Sequence, residues 1–127
     1  MNTQELCELL SDKTHGWRII KKKESLESSD HDMRDEVFIR AVGKSGDGKK
    51  LTLEITITDV ICSVNQFILS FERIHTVVLE EEYTYNEPER GLVTAKKAKQ
   101  WREKPVGDLP DLLSEINNTY GRVKAGT

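Results

Sequence analysis

The sequence predicts an α+β fold: one domain, a mostly antiparallel sheet of about four strands, and N- and C-terminal helices packed on one face. Three observations predict it. Leu51, Leu53, Ile55 and Ile57 alternate with Thr52, Glu54, Thr56 and Thr58, the period of a half-buried strand. Leu6, Leu9 and Leu10 form an apolar stripe behind a capping residue, Asn2. Leu109, Leu112, Leu113, Ile116 and Tyr120 form a second stripe between Asp108 and Gly121. The domain is expected to span 1–121, with 122–127 as a loose tail.

The first helix places Glu5, Glu8, Ser11 and Asp12 opposite its leucines, and Gly16 is its expected stop because glycine accepts left-handed backbone. Trp17–Ile20 reads as extended and runs into Lys21, Lys22 and Lys23, and Ser25–Arg34 reads as a polar loop. Val37–Val42 and the alternating strand form a hairpin about the turn Gly43–Lys49. Over 59–73, Val60, Val64, Phe67, Ile68, Phe71 and the following Ile74 have helical spacing opposite Asp59, Ser63, Gln66, Ser70 and Arg73, which favours a helix. The β-branched and aromatic content of the same stretch favours a strand. Residues 76–85 read as a strand and Asn86–Gly91 as a loop. Thr94–Glu103 reads as a short helix edged by Ala95, Ala98 and Trp101, although Lys96 and Lys97 in its first turn oppose the helix dipole. Pro105 and Gly107 break the chain before the last helix, which Asp108 caps and whose first turn tolerates Pro110.

Composition narrows the function classes. The chain is 36% apolar and 32% charged, with 19 basic and 22 acidic residues and a net charge of −3. That balance argues against a dedicated nucleic-acid binder. No apolar run approaches the roughly 20 residues of a membrane span. The first residues lack the basic and apolar regions of a signal peptide, and two cysteines, Cys7 and Cys62, are too few for a disulfide scaffold. Free thiols in a cytoplasmic protein are expected.

No motif commits the chain to chemistry. Gly43–Lys50 approaches a phosphate-binding loop, but Lys50 stands where a magnesium-binding hydroxyl is needed and a strand follows instead of a helix, so it reads as a hairpin turn. Asp30, His31, Asp32, Asp35 and Glu36 gather metal-ligating atoms without the spacing of a calcium loop or a zinc site. No metal and no cofactor are expected. His15, His31 and His75 are far apart in sequence, His75 is expected to be partly buried, and no local nucleophile motif is present. An enzyme is the less favoured reading.

Charge comes in alternating blocks: three net positive over Arg18–Glu24, four negative over Glu27–Glu36, four negative over Glu80–Arg90, four positive over Lys96–Lys104. Within Glu80–Glu89, carboxylates stand beside tyrosines, suiting either a charged edge that resists aggregation or a surface for a basic partner protein. The candidate partner-binding residues are Glu80, Glu81, Glu82, Tyr83, Tyr85 and Glu87. The expectation is a non-catalytic acidic protein that inhibits, neutralises or escorts another protein, in the manner of an immunity protein, a phage inhibitor or a secretion chaperone. The alternatives are nucleic-acid association through 96–104, with Trp101 among the bases, and an enzyme whose site assembles only in the fold.

Overall fold

The fold is that of a computed structural model, which describes residues 1–12, 15–25, 36–58, 60–62 and 69–125. Helix α1 (Thr3–Ser11) is followed by strands β1 (Arg18–Ser25), β2 (Glu36–Lys44) and β3 (Lys50–Thr58). Two-residue strands β4 (Ile61–Cys62) and β5 (Leu69–Ser70) pair with each other. Then come β6 (Arg73–Glu87), β7 (Gly91–Pro105), a 3-10 turn at Val106–Asp108, helix α2 (Leu109–Tyr120) and β8 (Lys124–Ala125). The main sheet runs β1-β2-β3-β6-β7, every neighbouring pair antiparallel, with β8 added to the end of β2. The α+β class holds, with five long strands in place of about four.

One face of this sheet makes the core. Leu51, Leu53, Ile55 and Ile57 are fully buried, as their alternation predicts. Val37, Ile39 and Ala41 on β2 and Val77 and Leu79 on β6 join them, and Leu6, Leu10, Leu109, Leu113 and Ile116 close over the top. Asn2 caps α1, its Oδ1 accepting from the Glu5 amide at 2.8 Å. The helix ends at Ser11, earlier than expected. Gly16 (φ +68°) instead lets the chain pass under Val123, where a Cβ would stand 2.6 Å from the Val123 carbonyl oxygen.

Four expectations are corrected. Thr94–Glu103 is the middle of β7, not a helix: β6 supplies a full-length ladder partner, and tertiary pairing overrides the weak helical edge of Ala95, Ala98 and Trp101. A helix over 59–73 does not form through the described residues, because 61–62 and 69–70 are paired strands; residues 59 and 63–68 lie outside the description. His75 is exposed, at the one step where the β6–β7 ladder skips a pair and Glu103 takes φ +47°. The tail from Arg122 is tied down as far as Ala125: Val123 is buried, its amide donates to Asn117 Oδ1 at 3.0 Å, and β8 pairs with β2.

Candidate functional site

The six candidate residues all lie on β6, and β6 is not an edge strand where they begin. Its ladder with β3 runs from Thr56↔Thr76 to Leu51↔Glu81, so Glu80 and Glu81 sit between two strands. On this side the sheet ends at β7, with β1 at its other edge. Beyond Glu81 the β3 ladder stops, while β6 and β7 remain paired from Glu82↔Lys96 to Glu87↔Gly91. At about 3.4 Å per residue, these six rungs make a two-stranded arm of about 20 Å. Gly91 (φ +74°) and the Arg90 amide bonded to the Glu87 carbonyl (3.2 Å) close its tip, with Pro88 in the turn.

The acids of the arm root are already engaged. Glu80 meets Lys96 Nζ at 3.2 Å, and Glu81, with 15% of its side chain exposed, meets Lys49 Nζ at 3.1 Å. Glu82 faces Lys96 across the ladder. The hydrogen bond and charge of Glu81, helped by Asp47, raise the Lys49 ammonium above its ordinary pKa. Asp47 is lowered, chiefly by a hydrogen bond from the Ser45 hydroxyl. Burial, reinforced by the Glu81 charge, raises Tyr120. This group ties the arm root to the β2–β3 turn, and that turn to the end of α2 through the Gly46 amide and the Tyr120 carbonyl (2.8 Å). The Gly43–Lys50 segment thus holds the hairpin turn, residues 45–49, between two paired strands.

The aromatic residues are differently placed. Tyr83 and Tyr85 share the helix-side face of the arm, their ring centroids 6.1 Å apart, and neither belongs to the core: they are 36% and 44% exposed. Ala95 and Val93 lie opposite them on β7, and Leu92, 74% exposed, stands near the tip. An open cleft of about 800 Å³ runs from Tyr83 to the turn, bordered by Asp47, Lys49, Glu81 and Lys97. Ala95 was hidden by the helical reading of Thr94–Glu103, and Leu92 and Val93 fell between that reading and the loop ending at Gly91. The signal that could have exposed them was two stretches of equal length flanking Pro88–Gly91.

Among the described residues, the remaining candidate groups do not converge. His15 is buried with its Nδ1 unpartnered, and His75 is exposed. Cys7 packs half-buried against the core, and burial raises its thiol pKa, opposing a nucleophilic thiolate. His31, Asp30, Asp32 and Asp35 lie outside the described residues, as does the Cys62 side chain. Among the described residues no three metal-ligating side chains come together, and no helix is long and apolar enough to cross a membrane. Compared with known proteins, the chain matches no family model, no curated protein and no solved structure at a significant level.

Proposed function

We propose that this chain is a non-catalytic docking protein that inhibits, neutralises or escorts a partner protein, and that the β6–β7 arm is its contact. The observation that carries this reading is the arm itself: two tyrosines, a leucine and a valine are held on strands that no longer serve the core. Tyrosine gives an interface large rigid area at low entropic cost, and such residues dominate binding energy when a partner covers them. A hairpin kept only as a solvated connection would gain nothing from Tyr83, Tyr85 and Leu92 standing in water.

The arm also adjusts the electrostatic part of the expectation. Glu80 and Glu81 are matched by lysines of the same chain, so the carboxylates position the arm and the tyrosines make the contact. Glu87, on the tyrosine face, gives the contact a polar rim that sets orientation and association rate. The test is affinity capture from the native host with the intact chain and with Tyr83→Ser/Tyr85→Ser. A discrete protein retained by the first and lost with the second supports the reading. The same proteins retained by both variants overturns it.

A further inference from the structure

The near-neutral total charge is sorted by face. Residues opposite one another in an antiparallel ladder share a face, so the register identifies every side chain on the side of the sheet away from the helices. Among the described residues of the five long strands, that side carries eight basic and four acidic side chains. Arg18, Lys21 and Lys23 come from β1, and Lys96 and Arg102 from β7, so the two basic blocks of the sequence become the two borders of one surface. Two of the four acids are held within it, Glu54 by Arg40 at 2.8 Å and Glu80 by Lys96 at 3.2 Å.

One transverse row holds no acid at all. Lys23, Phe38, Thr56, Thr76 and Arg102 are consecutive partners across the five strands. With strands about 4.8 Å apart, the row is about 19 Å long, with a cation at each end and an aromatic ring and two hydroxyls between. Phe38 is partly exposed, and Lys21 Nζ and the Arg40 guanidinium lie 5.8 and 5.6 Å from its centroid. Neither helix packs on this side.

We infer that the helix-free face binds single-stranded nucleic acid, with Lys23, Lys21 and Arg102 on the phosphates and a base stacked at Phe38. The chemistry favours this occupant over a protein. A protein interface needs an apolar, aromatic centre, which the arm has and this face lacks, Phe38 being its single ring among the described residues. A polynucleotide needs spaced cations for its backbone and a flat ring for a base, and both are present. The inference is independent of the arm and survives if the arm binds nothing.

The measurement is fluorescence anisotropy of a labelled oligothymidylate of about 12 nucleotides with the intact chain, from about 20 to 200 mM KCl. Binding should weaken steeply with salt. Lys23→Glu and Arg102→Glu should each lower affinity fivefold or more. Lys22→Glu makes the same charge change from the neighbouring position, but Lys22 pairs with Ile39 and projects to the helix side, so its effect should be at most twofold. Phe38→Ala should lower affinity at least fivefold and Phe38→Tyr restore it. Circular dichroism checks folding, and Lys23→Gln replaces any variant that fails to fold. The inference is overturned by absence of binding at the lowest salt, by equal effects of Lys22→Glu and Lys23→Glu, by equal affinity for a duplex of the same length, or by an acidic peptide competing as well as the oligonucleotide.

Discussion

Glu81 stands opposite Leu51 in the last rung shared by β3 and β6, and its carboxylate reaches past the end of β3 to Lys49 Nζ at 3.1 Å. The pair marks where the sheet ends and the arm begins. Removing it should free the arm more than it harms the fold. Glu81→Gln is expected to cost about 1 kcal/mol or less, as a partly solvated ion pair does. Hydrogen exchange should nonetheless quicken over 82–96 and stay unchanged in β2 and β3, which maps the pair to the arm root.

The core register predicts a larger cost elsewhere. Leu53 is fully buried between Ala41 on β2 and Leu79 on β6. Leu53→Ala should destabilise by about 2–5 kcal/mol in urea unfolding. A change within the range of surface substitutions would remove Leu53 from the core.

Gly43 makes a sharper test of packing. A Cβ there would stand 2.6 Å from Val123 Cγ1 and 3.2 Å from the Trp17 ring, so the glycine admits the C-terminal segment against β2. Gly43→Ala should cost about 1–3 kcal/mol by overpacking. Val123→Ala in the same chain should recover part of that loss, since it removes the methyl group the new Cβ meets.

Alkaline pH should weaken the fold. Burial raises Cys7 and Tyr120, and Glu81 raises Lys49, so the folded state holds these protons more tightly than the unfolded chain. A raised pKa contributes stability that is present below the unfolded value and lost as pH rises through the folded one. With ordinary values of 9.0, 10.0 and 10.5, the Tm should fall progressively above pH 9. Lys49→Met should flatten the upper part of that decline.

Much of the fold was legible because period and burial agree. The Leu51–Ile57 alternation, the α1 and α2 stripes and the Asn2 cap each state locally what the tertiary structure uses. Thr94–Glu103 was not legible for the opposite reason. Its small residues and lysines carry little periodicity of their own, and its strand conformation comes from pairing with β6, a relation that local spacing does not encode. The error spread to the candidate site. With Thr94–Glu103 taken for a helix, β6 was left as an edge, Glu80 stood without Lys96, and Ala95 went unseen as the partner of Tyr83.

The central claim is that the arm meets another protein through its tyrosine face. The most direct measurement places a photo-crosslinking phenylalanine analogue at Tyr85, and separately at Glu8 on the outer side of α1, in the native host. One discrete adduct is expected from position 85, suppressed by excess unlabelled chain, and none of that mass from position 8. The same adducts from both positions, or none from position 85, would contradict the claim.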